Sequence, residues 1–275
     1  MSNIHHYCIT GKKYNFLNDL DLKIILHGAS LKNLKLYPEK WIKDNEGINI
    51  SDKNKNFGTL TSHYWLWKNQ LKKHSEDDWI GINHYRRFWI KKNNQSEINL
   101  HNLSDNILRK ITQNEQFDVL LPEKFFFPKK LKYSKLIKKG FRNYIKNPKM
   151  LFGQYFYSIN LHFDLFHIHG ILEESSKFLD EKERENFINY IKKSNSFYPL
   201  EIFISKKKII NKLYEKAFEW IFKCEEEFSH LNLEGYGKER LYDFLAERYF
   251  SFYFEKYTKI KTWPFILLEE NFNEL

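Results

Sequence analysis

The sequence is poor in the residues that build cross-linked, loop-rich or fibrous proteins. It contains only two cysteines, 10 glycines and 6 prolines among its 275 residues. Cys8 and Cys224 lie far apart and show no metal-ligand spacing, so we expect no disulfide framework, and a reducing cytoplasm fits best. The low glycine and proline content argues against a loop-rich β-sandwich, a fibrous chain or a disordered one.

Long apolar runs are also missing. A membrane-spanning helix needs about 18 or more consecutive apolar residues, and no such stretch occurs. Residues 1–16 also lack the apolar run of a signal peptide. We therefore expect a cytoplasmic protein without a membrane-spanning helix.

Apolar side chains and positive charge are plentiful. Hydrophobic residues make up 42% of the chain and aromatic residues 18%, which is enough for the continuous core of one α/β domain. The formal net charge of +10 favours anionic partners such as nucleotide diphosphates, nucleic acid or an acidic membrane surface. An AT-rich genome produces the same lysine enrichment without a functional cause, so both explanations stay open.

The pattern of apolar residues predicts strands interleaved with helices and no internal repeat. The strands are expected at 4–10, 22–27, 79–83, 117–121 and 202–205, and the helices at 103–111, 163–178, 181–193, 207–228 and 239–257, with a further helix that begins near Thr59 or Thr61. A buried strand, a crossover helix and another buried strand in this order are typical of an α/β sheet.

The densest polar cluster directly follows the predicted strand 79–83. It consists of His84, Tyr85, Arg86 and Arg87, and ligands of open α/β sheets bind outside the carboxyl ends of the strands. Alternation would send His84 and Arg86 to one face and the other two side chains to the opposite face. The planar guanidinium group suits a diphosphate because it donates paired hydrogen bonds and stays charged. Structural arginines that bridge loop carboxylates remain the alternative.

A second concentration of polar and aromatic residues covers 52–69. The hydroxyl groups of Thr59, Thr61 and Ser62 are predicted to cap a helix whose N-terminus could face an anion. The aromatic residues that follow them are spaced as in a helix and are predicted to belong to the core.

Other catalytic signatures are weak or absent. There is no Gly-x-Gly-x-x-Gly, Walker loop or Gly-x-Ser-x-Gly elbow. His162, His167 and His169 are close in sequence, but no carboxylate or thiol pattern completes a metal site, so we expect none. Spacing alone does not rank the carboxylates that could act as a base, which are Asp118, Glu201, Asp243 and Glu247.

Five segments occur in an order that resembles one bacterial domain family. They cover 49–69, 77–89, 117–123, 197–222 and 240–254. Members of that family are described as capsule, exopolysaccharide or lipopolysaccharide glycosyltransferases. The resemblance runs from about residue 4 to residue 264, and its most specific part is His-Tyr-Arg-Arg combined with Leu-x-Glu-Arg at 245–248.

The resemblance implies a fold and a reaction. The fold is a Rossmann-like, GT-A-type mixed sheet flanked by helices, with a helical C-terminal part. One glycosyltransferase domain would cover 1–275, with a nucleotide-sugar-binding half at 1–125, an acceptor-side insertion at 126–200, and a strand with C-terminal helices at 201–275. The reaction would move a sugar, a hexose such as galactose in pyranose or furanose form, from a UDP-sugar to a glycan or lipid-linked glycan acceptor of the cell surface.

The resemblance also implies roles for residues at the donor. His84 to Arg87 would stand where metal-dependent relatives carry Asp-x-Asp, so that arginine and histidine replace the cation at the leaving diphosphate. We therefore expect no cofactor and no divalent cation. With the end of the first predicted strand included, the predicted donor residues are Thr10, Gly11, Lys12, Asn83, His84, Tyr85, Arg86 and Arg87.

The catalytic base and the acceptor residues are predicted from the same likeness. Glu247 is the first candidate for the base, followed by Glu201 or Asp243, if the reaction inverts configuration. Similar sequences often have Asn where this chain has Glu201, so the identity of the acceptor cannot be transferred from the family to this chain. The predicted acceptor residues are Gln154, Tyr155, His162 and Arg248.

A basic binding module without catalysis is the alternative. The charge and the lysine-rich run at 129–149 suggest binding to nucleic acid or to anionic lipid. No helix-turn-helix, RRM or zinc-finger signature is present, so we expect no nucleic-acid partner. Peripheral contact with the inner face of the cytoplasmic membrane is compatible with a transferase that acts on a lipid-linked acceptor.

Overall fold

The computed structural model describes residues 1–92, 97–112, 116–127, 157–235 and 237–268. The chain divides into two compact units. Unit 1 comprises Met1–Glu123, Leu200–Lys216 and Tyr253–Leu275, and unit 2 comprises Lys124–Pro199 and Ala217–Phe252. Gln154, Tyr155 and the basic run 129–149 lie outside the described residues.

Twelve strands and eight α-helices are found in the described residues. The strands are β1 Ser2–Thr10, β2 Lys23–Leu26, β3 Ile42–Lys43, β4 Trp79–His84, β5 Arg87–Trp89, β6 Lys110–Ile111, β7 Val119–Leu121, β8 Phe125–Phe126, β9 Ser196–Phe197, β10 Ile204–Lys206, β11 Ile260–Thr262 and β12 Phe265–Leu267. The helices are α1 Asn54–Phe57, α2 Leu60–Trp65, α3 Leu103–Asn106, α4 Ile159–Phe166, α5 Ile171–Ser175, α6 Glu181–Lys193, α7 Lys207–Glu227 and α8 Leu241–Tyr257.

Unit 1 is built on a mixed sheet in the order β11-β7-β10-β4-β1-β2-β3. Strands β4, β1, β2 and β3 are parallel, whereas β10 runs antiparallel between β4 and β7. Strand β5 pairs antiparallel with both β4 and β12. All six residues of β4 are buried, as expected for a strand covered on both faces. The prediction of an α/β mixed sheet is therefore confirmed.

Two apolar clusters form the core of unit 1. One contains Ile4, Trp79 and Ile204, which come from three neighbouring strands. The other contains Cys8 and Ile24 from the sheet, packed with residues such as Trp41. Strand β1 contributes to both clusters, through Ile4 near its start and Cys8 near its end.

The predicted helix at 103–111 is wrong for most of its length. Helix α3 makes a single turn and ends at Asn106, and the chain is already extended at Ile107. The Leu108 N–H donates to the Trp89 carbonyl at 2.9 Å, and β6 then pairs with β1. Pairing with the sheet satisfies these buried backbone groups, which outweighs the local helical pattern.

Unit 2 is mainly helical. Its helix α6 begins after Asp180, whose carboxylate accepts a hydrogen bond from Glu183 N at 2.9 Å, a standard N-terminal cap. The predicted helix at 163–178 is instead divided into α4 and α5, because Gly170 adopts a positive φ of 82° between them. Trp220 packs against Phe187 in the core, and its indole N–H donates to the Ser175 carbonyl at 2.7 Å.

The long C-terminal helices are confirmed. Helix α7 covers nearly the whole predicted range 207–228, and α8 begins two residues later than the predicted start of 239. Within the described residues, no helix combines the length and the apolar character that crossing a membrane requires.

Candidate functional site

The carboxyl ends of β1, β2 and β4 meet at one edge of the sheet. We call this the carboxyl edge; it consists of residues 10–12, His27 and residues 84–87. Ile9 of β1 lies beside His84, and Thr10 lies beside Leu26 at the end of β2. Backbone hydrogen bonds of 3.0 Å hold the edge, from His27 N to Thr10 O and from Tyr85 N to Ile9 O. The structure thus brings the predicted donor residues of β1 next to those that follow β4.

His84 and Arg87 face each other across a tight hairpin. They form the pair that joins β4 to β5, with Tyr85 and Arg86 in the turn between them. The predicted alternation, with His84 and Arg86 on one face, is therefore wrong, because the extended strand ends at His84. The Tyr85 ring instead stacks on Tyr14 at 5.0 Å, and the Arg86 guanidinium lies 5.4 Å from the Tyr85 ring centroid.

The His84 imidazole is neutral and has hydrogen-bonding capacity left. Burial lowers its pKa well below the usual value, and electrostatic interactions with His63, Arg87 and His27 lower it further. Its Nε2 atom is buried and has no hydrogen-bond partner among the described residues. Because buried polar atoms are normally satisfied, such an atom is suited to contact a bound ligand.

The loop at the end of β1 is fixed by its own side chains. Thr10 is buried, and its hydroxyl donates to the Lys12 carbonyl at 2.7 Å and accepts from Lys12 N at 3.2 Å. A Cβ atom at Gly11 would lie only 2.5 Å from His27 Nε2. Glycine at this position therefore permits the close approach of the loop to the His27 ring.

Asp44 organises the neighbouring loop, and spacing alone did not reveal it. Its carboxylate accepts hydrogen bonds from Gly28 N and Ala29 N, both at 2.9 Å, and from the hydroxyls of Ser51 at 2.5 Å and Thr61 at 2.6 Å. Four donors to one buried carboxylate make this loop rigid. The density of Asp, Asn, Ser and Thr over 44–61 is the only signal in the sequence that hints at it.

His27 is oriented by a second residue that the sequence analysis missed. Asn54 Nδ2 lies 2.7 Å from His27 Nδ1 and also donates to the Gly58 carbonyl at 2.6 Å. The Asn54 amide therefore ties the His27 ring, at the carboxyl edge, to the turn that precedes α2.

The predicted helix cap at 59–62 is also wrong. Helix α2 begins at Leu60, and the Thr59 side chain makes no capping hydrogen bond. The Thr59 hydroxyl donates to Glu201 Oε2 at 2.8 Å instead, and the Thr61 hydroxyl is engaged by Asp44. Both hydroxyls donate to buried carboxylates, which would be costly to leave without hydrogen-bond donors.

Glu201 belongs to unit 1 and lies in the turn that precedes β10, the strand that pairs with β4. Strand β10 pairs Ile204 with Gly81, and the Phe203 carbonyl accepts from Ile82 N at 2.8 Å. Glu201 is buried and has a positive φ of 51°. Non-glycine residues in this conformation carry backbone strain, which is common at functional sites.

A histidine–tyrosine pair connects Glu201 with His84. His63 Nδ1 and the Tyr214 hydroxyl are joined at 2.7 Å. Burial raises the pKa of Tyr214, and the negative charge of Glu201 raises it further. Burial lowers the pKa of His63 to about 3, and His63 in turn acts on His84. The four residues therefore form one electrostatic group, of which the sequence analysis had named only Glu201 and His84.

The Asn83 side chain forms hydrogen bonds within the fold. It is buried, its amide nitrogen lies 3.0 Å from His6 Nδ1, and its oxygen accepts from Trp89 N at 3.2 Å. Asp118 likewise accepts from Lys259 N at 2.9 Å, where β7 meets β11. Both polar side chains stabilise the sheet.

Unit 2 holds a second group of predicted residues, gathered around Arg248. This buried side chain forms an ion pair with Glu247. Its Nη2 atom lies 3.4 Å from His162 Nδ1 and 3.5 Å from His167 Nε2. Its guanidinium also lies 4.3 Å from the Phe197 ring centroid. The predicted acceptor residues His162 and Arg248 are therefore neighbours.

The two histidines beside Arg248 have lowered pKa values. Burial lowers the pKa of His162 well below its usual value and that of His167 to about 3, and the Arg248 charge lowers both further. Asp243 lies one helical turn before Glu247 on α8. The three predicted bases are thus divided, with Glu201 in unit 1 and Glu247 and Asp243 in unit 2.

Comparisons with known proteins agree with the fold. The chain superposes on a solved structure described as WbbM, a bifunctional glycosyltransferase in its apo form, with a TM-score of 0.66 and 19% sequence identity. The match covers 98% of this chain but 46% of that one, so the chain spans less than half of its structural relative. At this identity the likeness establishes a shared fold, and the predicted GT-A-type α/β fold is confirmed.

Sequence comparison establishes the family. No curated protein sequence matches the chain. A family model, described as a domain of unknown function, matches residues 5–259. Because this match covers most of the sequence, the chain belongs to the family called Domain of unknown function (DUF4422).

Proposed function

We propose that this chain is a glycosyltransferase domain that binds a nucleotide-sugar donor at the carboxyl edge of its sheet. The observation that carries the proposal is the pair formed by the neutral, buried His84 and the opposing Arg87 at the end of β4. In open α/β sheets, ligands bind outside the carboxyl ends of strands. The fold shared with a bifunctional glycosyltransferase supports the same reaction class.

The leaving diphosphate would be held by arginine. Arg87 extends from the hairpin beside His84, and Arg86 lies in the turn. A guanidinium group donates two parallel hydrogen bonds to phosphate oxygens and stays charged. Charge that develops on the diphosphate during bond breaking is thereby stabilised by fixed groups.

Glu201 would be the base of an inverting transfer. Its carboxylate would take the proton of the acceptor hydroxyl while that oxygen attacks the anomeric carbon and the bond to the diphosphate breaks. We rank Glu201 ahead of Glu247 and Asp243, the reverse of the sequence-based order for the first two, because Glu201 lies in the same unit as the carboxyl edge. Glu247 is already engaged by the Arg248 guanidinium.

The finer assignment rests on the resemblance described above. It comprises a UDP-hexose donor, a glycan acceptor of capsule, exopolysaccharide or lipopolysaccharide, and contact with the inner leaflet of the cytoplasmic membrane. We propose no cation at the donor diphosphate, since Arg86, Arg87 and His84 supply the hydrogen bonds and charge that a cation would otherwise provide.

The test is thermal stabilisation by a panel of nucleotides and nucleotide sugars, with and without EDTA, followed by a transfer assay with the sugar that stabilises most. UDP and one UDP-sugar should stabilise the wild type in EDTA. Arg87→Gln should abolish this response, whereas Arg109→Gln, which removes the same charge beside Asp21, should retain it. Equal stabilisation of both variants, or no response to any nucleotide, would contradict the assignment of the donor site to the carboxyl edge.

A further inference from the structure

Three metal-ligating side chains meet at the opposite end of the sheet. His5 lies near the start of β1, and Asp78 directly precedes β4, with His74 four residues before it. Their ligand atoms all lie within 4.8 Å of one another. Thr10 lies five positions after His5 on β1, which is about 17 Å at the usual rise of a strand, so this group is distinct from the carboxyl edge.

Strand alternation explains why His5, and not His6, takes part. His6 points to the other face, where its Nε2 atom is joined to the Leu108 carbonyl at 2.6 Å. His5 points to the same face as Tyr7, and the His5 and His74 ring centroids are 4.5 Å apart. The fold thus brings two imidazoles together although their positions are far apart in the sequence.

The distances are close to those of a closed coordination shell. His74 Nδ1 lies 3.7 Å and His5 Nε2 lies 4.0 Å from Asp78 Oδ2. Tetrahedral zinc, with bonds of about 2.0–2.2 Å, places its ligand atoms roughly 3.4 Å apart. The side chains of His5 and Asp78 are 41% and 37% exposed, so they can rotate to bring the three ligand atoms closer together without disturbing the core.

Two hydrogen bonds already orient the ligands. The Tyr7 hydroxyl is joined to His74 Nε2 at 2.9 Å, which leaves Nδ1 directed at Asp78. Ser75 N donates to Asp78 Oδ2 at 2.9 Å and holds the carboxylate. Partners of this kind, which fix the ring and the carboxylate behind the ligand atoms, are the usual surroundings of a protein metal site.

We infer that His5, His74 and Asp78 form a binding site for a divalent transition metal of the zinc class, with a fourth position open to water. Two imidazoles and one carboxylate suit zinc, cobalt or nickel, whereas magnesium and calcium prefer oxygen ligands alone. The Lys23 ammonium lies 5.3 Å from the Tyr7 ring centroid, and its charge acts against the bound cation. We therefore expect micromolar affinity. The metal would join the start of β1 to the segment that leads into β4.

The test uses the full-length protein, stripped of metal with EDTA and then dialysed. Zinc binding is measured by competition with a chromophoric chelator, and cobalt binding by its visible absorption spectrum. The wild type should bind one equivalent of zinc, and saturating zinc should raise Tm by about 5 °C. His5→Ala and Asp78→Asn, both at half-exposed positions, should each weaken zinc binding at least tenfold, with an unchanged far-ultraviolet circular dichroism spectrum.

Two control variants separate this site from other histidines. His101→Ala removes an exposed histidine of unit 1, and His169→Ala breaks the 3.4 Å pair between His169 and Asp164 in unit 2. Both should bind zinc as the wild type does. Absence of binding to the wild type at 100-fold excess zinc over protein, or equal binding by His5→Ala and Asp78→Asn, would overturn the inference. Sugar transfer does not enter this measurement, so its outcome is independent of the proposed function.

Discussion

The group around His84 in unit 1 and the group around Arg248 in unit 2 use the same residue types in different ways. Each combines buried neutral histidines with an arginine and a glutamate. In unit 2 the carboxylate of Glu247 is paired directly with the buried Arg248. In unit 1 the Glu201 carboxylate accepts a hydrogen bond from the Thr59 hydroxyl. In unit 2 the carboxylate neutralises a buried cation, whereas in unit 1 it is paired with an uncharged hydroxyl group.

This difference predicts that the two glutamates affect different properties. A change at Glu201 should reduce turnover more than stability, and a change at Glu247 should reduce stability more than turnover. The following predictions test this contrast, from the largest expected effect to the smallest.

Glu201→Gln should reduce kcat by about 10²–10⁴ because the amide cannot accept the proton of the acceptor hydroxyl. Glutamine has the same size and can still accept the Thr59 hydrogen bond, so Tm and the KM for the donor should change little. Turnover is measured as release of the nucleotide diphosphate, with the exposed Glu39→Gln as control. Turnover of Glu201→Gln equal to that of the control would contradict the assignment of the base.

Glu247→Gln should lower the free energy of unfolding by about 3 kcal/mol because it leaves the buried Arg248 charge without its anion. Urea denaturation measures this loss. The double variant Glu247→Gln/Arg248→Met should recover part of the stability, since no unpaired charge remains. If Glu247→Gln instead unfolds as the wild type does and has lost its turnover, the catalytic role belongs to unit 2.

Acid should destabilise the protein through its buried histidines. His63 and His167 have folded pKa values of about 3, below the 6.5 of an unfolded chain. Their contribution to the free energy of unfolding is complete above pH 6.5. It is lost as pH falls towards 3, because only the unfolded chain binds these protons. Each histidine adds up to about 1.4 kcal/mol per pH unit to the slope of the free energy of unfolding against pH.

Single substitutions assign that acid sensitivity to the two units. Urea denaturation at pH 7, 6 and 5 should give a smaller pH slope for His63→Gln in unit 1 and for His167→Gln in unit 2. The exposed His101→Gln should keep the slope of the wild type. A slope that neither buried substitution changes would mean that other groups cause the acid sensitivity.

Gly11→Ala should reduce kcat/KM for the donor by about tenfold, since small displacements of a bound substrate cost this much. The added Cβ would lie 2.5 Å from His27 Nε2, so the loop or the ring must move at the carboxyl edge. The acceptor KM should not change. Gly235→Ala is a suitable control for loss of a glycine in unit 2, since no atom lies within 4 Å of its added Cβ, although its positive φ of 90° adds strain.

Several elements could be predicted because their signals are local. The short apolar run at the start of Trp79–Asn83 predicted a strand, and β4 is buried along its whole length. The apolar spacing along 207–228 predicted helix α7 almost to the residue. His84 to Arg87 follow a buried strand directly, so their place at the carboxyl edge follows from chain connectivity. The hairpin between them was not predicted, because nothing local indicated that β5 would turn back.

The remaining parts of the site depend on long-range pairing. Thr59 and Glu201 are 142 residues apart, and His63 and Tyr214 are 151 residues apart. Their meeting requires β10 to insert antiparallel beside β4, a choice made by burial of the whole sheet rather than by either segment. Spacing could name Glu201 as a carboxylate but could not rank it against Glu247.

The sequence by itself determined the α/β class, the long C-terminal helices and the arginine-rich cluster that follows β4, because periodicity and chain order are sufficient for these. Tertiary structure alone decided that Glu201, and not Glu247, lies in the same unit as that cluster. It also decided that Arg248 forms an ion pair with Glu247. It also decided that His5 meets His74 and Asp78 at the other end of the sheet. These arrangements depend on strand register and on burial, since contacts between distant residues are selected by the free energy of the whole core.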